Sequence, residues 1–377
     1  MKRDLIYQGS LLLIIAGLAF LIFSSTQANL ARLGVDSSID FLWKRAGFEI
    51  GQTLIDYDAN SSIARAFLVA LLNTLLLAFS CIFCASVVGV LIGTSRLSAN
   101  WLLARLATAY VEVFRNIPAL LQIFFWYFVV LRSLPASRES LVFLDIFYLN
   151  NRGLFFPAPV LDSSGTWILL SFILTALLCI KLKKILARRQ IAFLTEVPAI
   201  PLCMLLLIFI PLSVAILLGL AWDIPQPGKF SYQGGYVFMP EFTALVIGLS
   251  MYHASYIAEI VRSSYLSVSR GQTEAAHSLG LSAWQTLRLV IFPQALRVML
   301  PPLTTVYMNL FKGTSLAAAI AYPEVISVFV GTVNNLVGQP VIIMSLTLLV
   351  YAFISLCIAL FLNWYNRRLG LMTGAQG

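Results

Sequence analysis

Apolar residues arrive along this chain in long unbroken runs, separated by short polar loops. The runs are Ser10 to Phe23, Ala66 to Thr94, Ile117 to Leu134, Trp167 to Leu182, Pro201 to Trp222, Phe242 to Ile260, Leu300 to Phe311 and Val341 to Trp364. A helix needs roughly 20 apolar residues to cross about 30 Å of hydrocarbon, whereas the strands of an outer-membrane barrel would alternate apolar with polar. The pattern therefore predicts an all-α integral membrane protein with about eight transmembrane helices. The first run follows Met1-Lys2-Arg3, and the small residues from Ser24 to Asn29 behind it also fit a cleavable leader; we read it as a first span.

Composition agrees with the pattern. Hydrophobic residues make up 60% of the 377, charged residues 11%, and the mean hydropathy is +0.89, more apolar surface than a water-soluble core can hide. The net charge of +9 does not point to nucleic acid, because the basic residues sit in loops between spans and form no solvated stripe interleaved with aromatics. Their asymmetry orients the chain instead. The cluster from Lys181 to Arg189 and the pair Arg367-Arg368 place the same side in the cytoplasm, so both termini are expected there and the loop from Gln27 to Arg65 outside. The five cysteines lie inside apolar runs, where a thiol packs as a small hydrophobe. Cys81 and Cys84 spell C-x-x-C, but no second pair completes a zinc site.

One cytoplasmic loop, Ser263 to Pro301, breaks the apolar texture. Gly271 to Leu279 reads as a helix, with Gly280 where a C-terminal cap needs positive φ. Ser282 and Gln285 have the spacing of a capping box, and Trp284, Leu287, Val290 and Ile291 recur at helical period ahead of Pro293. The loop should be a rigid helix-turn-helix knuckle on the membrane surface.

At these residues the sequence resembles the permease subunits of ATP-binding-cassette importers, whose coupling loop has the pattern seen here as Glu274-Ala275-Ala276, Gly280 and Ile291-Phe292-Pro293. The stretches from Tyr110, Ala254 and Pro301 narrow the resemblance to the polar and general L-amino-acid permeases. It covers roughly residues 66–366 as a type I transmembrane domain, with a two-helix insertion at 134–241, preceded by an extra N-terminal helix and loop at 1–65 and followed by a tail at 367–377. Ser263 stands where the family usually has Gly, and Gly313 where it has an acidic residue or Asn.

The resemblance implies a subunit of the bacterial inner membrane that docks through Glu274, Ala275, Ala276, Gly280 and Pro293 onto separate ATPase subunits. Its other implied partners are a second, related permease, an extracytoplasmic amino-acid-binding protein and the lipid bilayer. The chain itself should hold no cofactor or metal and catalyse nothing: no phosphate-binding G-x-x-x-x-G-K-[ST] is present, so ATP and magnesium belong to the partner.

Other readings stay open on the residues alone. Ser250 and His253 could be a nucleophile and base, although they are three apart on one helix. An ion-coupled secondary amino-acid carrier would also use broken helices, but has no use for the knuckle. Glu112 and Arg115 are expected to form a local ion pair, and His253 and His277 to be packing or surface residues. Glu259 and Arg262 can pair at i,i+3, or Glu259 can meet a substrate ammonium. Finally, the helix from Leu300 is expected to break at Lys312 and Gly313. Thr314 or Ser315 would cap a new helix whose positive end, with Lys312 beside it, attracts the substrate carboxylate.

Overall fold

The computed structural model describes residues 38–160, 163–189, 199–228 and 231–368, together with scattered positions between 9 and 29 that are all helical. The first expected span and the C-terminal tail thus fall largely outside the described residues. The chain forms two units, one from Met1–Val130 with Glu241–Gly377, the other from Leu131–Pro240.

The larger unit begins with a 3₁₀ turn, Asp40–Trp43, and then α1, Ile63–Ser95, whose N-cap Ser62 accepts the Arg65 N–H. Helix α2, Trp101–Asn116, is capped by Asn100, which accepts the N–H groups of Leu102 and Leu103. The expected span at 117–134 is instead the second arm of a broken helix. Pro118 disfavours helical backbone at Ile117, which is extended (φ −93°, ψ 125°). Helix α3, Ala119–Leu131, leaves at 104° to α2. The Gln122 amide donates to the carbonyls of Phe114 (2.8 Å) and Ile117 (3.0 Å), so the break costs no unpaired backbone acceptor there.

The inserted unit adds short strands that the apolar runs do not announce. Strands β1, Leu141–Phe143, β2, Phe147–Asn150, and β3, Gly153–Phe156, follow one another as antiparallel hairpins, and β4, Ala158–Pro159, leads into the helices. Helix α4, Ser163–Arg189, and α5, Ala199–Leu217, pack as a hairpin. The Cys179 and Cys203 thiols each donate to the other's carbonyl (3.7 and 3.9 Å), so both cysteines are indeed packing residues. Then come β5, Trp222–Asp223, β6, Gln226–Pro227, β7, Tyr232–Gln233, and β8, Tyr236–Phe238. β8 returns to β3, giving a sheet in the order β1-β2-β3-β8, while β4 pairs β5 and β6 pairs β7. At two to four residues each, these strands are too short for a period of two to register.

The larger unit resumes with α6, Pro240–Leu266, the most buried of the long apolar helices, followed by α7, Arg270–Ser278, and α8, Ala283–Ile320. It closes with α9, Ile326–Val337, and α10, Pro340–Arg368. Among the described residues the fold thus has five long apolar helices (α1, α4, α6, α8, α10), the bent pair α2/α3 and the shorter apolar helices α5 and α9. The run from Pro201 is shorter than expected, since its helix stops at Leu217.

The run from Leu300 is longer than expected. It is the middle of α8, which starts in the knuckle and passes through Pro293, Pro301 and Pro302 without a break. A proline ring clashes with the carbonyl four residues earlier. The turn Leu287–Ile291 widens to a π-helix just ahead of Pro293, with the Phe292 N–H donating to Leu287 O. The expected break at Lys312 is also absent. The helix tightens to 3₁₀ over Thr314–Ile320 and stops at Ala321 (φ +58°). Thr314 and Ser315 cap nothing: their hydroxyls donate back to the carbonyls of Phe311 (2.7 Å) and Lys312 (2.7 Å).

Candidate functional site

The knuckle is built by local sequence. At the end of α7 the Gly280 N–H donates to His277 O (2.9 Å) and the Leu281 N–H to Ala276 O (3.1 Å). This is a Schellman closure, which needs a left-handed residue; Gly280 supplies it at φ +79°. Ser282 and Gln285 then form the expected capping box, Ser282 N–H to Gln285 Oε1 (2.9 Å) and Gln285 N–H to Ser282 Oγ (3.3 Å). Of the Glu274-Ala275-Ala276 triplet only Ala276 is buried, as are Thr286, Ile291 and Ala295 in the first turns of α8; Glu274 and Ala275 are exposed. Gln294 donates to Gln272 (3.3 Å), a second tie between α7 and α8. An open cleft of about 310 Å³ lies between the end of α6 and the knuckle, lined by Tyr265, Leu266, Val268, Arg270, Thr273, Glu274 and Ile291. Leu279 (82% exposed) and Trp284 (67%) flank Gly280 on the outer surface.

A half-buried polar stripe runs down α6 through Tyr252, Tyr256, Glu259 and Arg262. The Tyr252 and Tyr256 hydroxyls share a hydrogen bond (3.0 Å), and the Arg115 guanidinium lies 5.1 Å from the centre of the Tyr256 ring. Arg115 is therefore a cation–π partner and not the local mate of Glu112. Glu259 pairs first with Arg96, from the end of α1, through Oε2 and Nη1; Arg262 is a longer second partner at 3.5 Å. With a guanidinium on each oxygen, Glu259 is not free to meet a substrate ammonium in this conformation. Of the other expected path residues Lys312 is exposed, Ser315 half-buried and Thr314 buried. Ser250 donates to Cys81 O (3.3 Å), which turns it from His253 and removes the serine-base arrangement; His253 is buried against Tyr252, and His277 meets Leu281 O (3.2 Å) at the surface.

One polar centre was not foreseen. The helix N-terminus expected at Thr314 occurs instead ahead of α9, and its occupant is the protein's own side chain. Glu324, fully buried, accepts the N–H groups of Ile326 (2.9 Å) and Ser327 (2.7 Å) and the hydroxyl of Tyr351 (2.9 Å). Beside it, Asn73 of α1 donates to Pro323 O (2.9 Å) and Gln52 O (2.8 Å), and Thr74 accepts the Val325 N–H (3.2 Å). The signal was an acidic residue just ahead of an apolar run, the position of a helix cap.

Five long apolar helices, with a rigid helix-turn-helix knuckle among them, define the class of helical proteins built to cross a membrane. The chain belongs to the family of binding-protein-dependent transport system inner membrane components, whose model matches residues 173–371. It is similar over nearly its whole length to three relatives. The putative amino-acid ABC transporter permease protein YhdX of Escherichia coli is 45% identical over 98% of this chain and 95% of its own. The general L-amino acid transport system permease protein AapQ of Rhizobium johnstonii is 44% identical over 98% and 93%. The glutamate/glutamine/aspartate/asparagine transport system permease protein BztB of Rhodobacter capsulatus is 38% identical over 96% and 92%.

Proposed function

We propose that this chain is the permease subunit of an ATP-driven amino-acid importer of the inner membrane, with both termini in the cytoplasm. It lines part of the substrate path and takes its driving force from separate ATPase subunits through the knuckle. The relatives' names support the amino-acid cargo, and their likeness over the full chain, insertion included, supports a large general uptake system with an extracytoplasmic binding protein and a second, related permease. ATP and magnesium are held by the ATPase. An ion-coupled carrier finds no support among the relatives.

The observation that carries the coupling role is the exposure of Leu279 and Trp284 on either side of a turn fixed by a Schellman closure and a capping box. Large apolar side chains held rigidly in water are the usual anchors of an interface, and losing one costs about 2 kcal/mol or more of binding. Leu279→Asp and Trp284→Asp should therefore insert normally but lose the ATPase on purification and lose uptake. Retention of the ATPase by both variants would remove the docking role. Lys312, Thr314 and Ser315 are assigned to the substrate path, with the Lys312 ammonium accessible in this conformation, whereas Glu259 is held by Arg96 and Arg262.

A further inference from the structure

The knuckle has a continuation inside the bundle. Gly89 and Gly93, one turn apart on α1, face α6 so closely that no side chain fits between. A methyl group at Gly89 would lie 2.6 Å from Ile257 Cβ and 3.0 Å from Ala254 O; at Gly93 it would lie 2.7 Å from Val261 Cβ and 2.8 Å from Ala258 O. Small residues four apart let membrane helices approach backbone to backbone, where dispersion and not water holds them. One turn beyond Gly93, the same seam is closed by charge: Arg96, its side chain 10% exposed, reaches Glu259, which lies between the Ile257 and Val261 contacts. Helix α6 runs unbroken from this seam to Leu266, and α7 of the knuckle begins at Arg270. At its other end α1 holds the start of α9 through Asn73 and Thr74.

We propose that α1 and α6 move as one body, and that Arg96 and Glu259 are positioning residues that carry knuckle movement into the bundle. The inference rests on the coupling role proposed above. A displacement of α7 reaches α6 through a three-residue link, 267–269. The glycine seam prevents α1 from sliding over α6, and the half-buried ion pair prevents the two ends from splaying. The Asn73 and Thr74 hydrogen bonds then deliver the displacement to the α8–α9 junction.

The test uses the full transporter in proteoliposomes: this chain with its ATPase, companion permease and amino-acid-binding protein. Arg96→Gln is expected to retain the ATPase on purification, yet to raise the ATP hydrolysed per amino acid imported by about fivefold or more, the low end of ordinary coupling free energies. Gly93→Ala should act in the same direction by forcing the helices apart. An unchanged ratio in Arg96→Gln overturns the inference. If that variant does not assemble, spin labels replacing exposed Leu91 of α1 and Leu266 of α6 in the otherwise natural chain carry the test. Their separation should change by less than about 2 Å between the resting and ATP-trapped states, within the range of small shear shifts; a larger change overturns the single-body movement. The docking role and the seam are separable in this test. If Leu279→Asp and Trp284→Asp keep the ATPase, the docking role is lost. If they release it while Arg96→Gln imports at the natural ratio, only the seam is lost.

Discussion

Gly280 shows how much a single residue's chemistry can settle before any tertiary contact forms. Its φ is +79°, and nothing lies within 4 Å of where a β-carbon would stand, so a substitution there is strained by conformation and not by collision. Left-handed backbone costs most L-residues roughly 1–2 kcal/mol, and Asn less. Gly280→Leu is accordingly expected to cut uptake severely while the binding protein keeps its affinity, and Gly280→Asn to keep most of it. Equal loss in both, measured as uptake into vesicles, would show that space and not conformation is limiting. Lys312 is the opposite case, an accessible ammonium whose expected companion, a helix N-terminus, is absent. If its charge alone draws the α-carboxylate, Lys312→Met lowers uptake of every amino acid by a similar factor while receptor-stimulated ATP hydrolysis persists. Unchanged uptake, or a loss confined to acidic substrates, would take Lys312 out of the path. The partner of Glu259 marks where local reading stops. Arg262, three residues on, was visible in the sequence, whereas Arg96 is 163 residues away and is brought near only by the packing of α1 on α6.

At the scale of elements, prolines and buried polar groups determine where helices turn, and they do so differently in different places. Pro118 ends α2 because its predecessor adopts extended backbone and Gln122 takes over the freed carbonyls. Pro293 ends nothing, because a π turn ahead of it supplies the room its ring needs. Both are prolines within apolar sequence, and nothing in their immediate neighbours separates the outcomes as plainly as the packing does. Glu324 is the buried counterpart of a surface cap. Losing a cap costs about 1 kcal/mol, and leaving a buried hydroxyl such as that of Tyr351 without its acceptor costs about 1–3 kcal/mol. Glu324→Ala should therefore lower the melting temperature of the purified complex by several degrees, and Glu324→Gln, which keeps an acceptor oxygen, by less. Identical melting of all three proteins would show that the α9 terminus needs no such cap.

For the whole molecule, orientation follows from charge. Translocating the Lys181 to Arg189 cluster is unfavourable, so a cysteine at position 183 should react with an impermeant reagent only from the cytoplasmic side, and one at Leu54, exposed in the loop ahead of α1, only from outside. Labelling of position 183 in intact cells would invert the orientation proposed here. The sequence by itself determined the membrane environment, the helical architecture and the knuckle, because long apolar runs, glycine caps and capping boxes are short-range properties that each stretch carries with it. Tertiary structure decided the bend between α2 and α3, the continuity of α8 through three prolines, the small sheet in the insertion and the two polar centres, half-buried at Glu259 and fully buried at Glu324. The sheet and the two polar centres depend on which distant group arrives to satisfy a carbonyl or a charge, the bend and the unbroken α8 on how the backbone settles around its prolines, and in a bundle of apolar helices the runs themselves do not say which faces will meet.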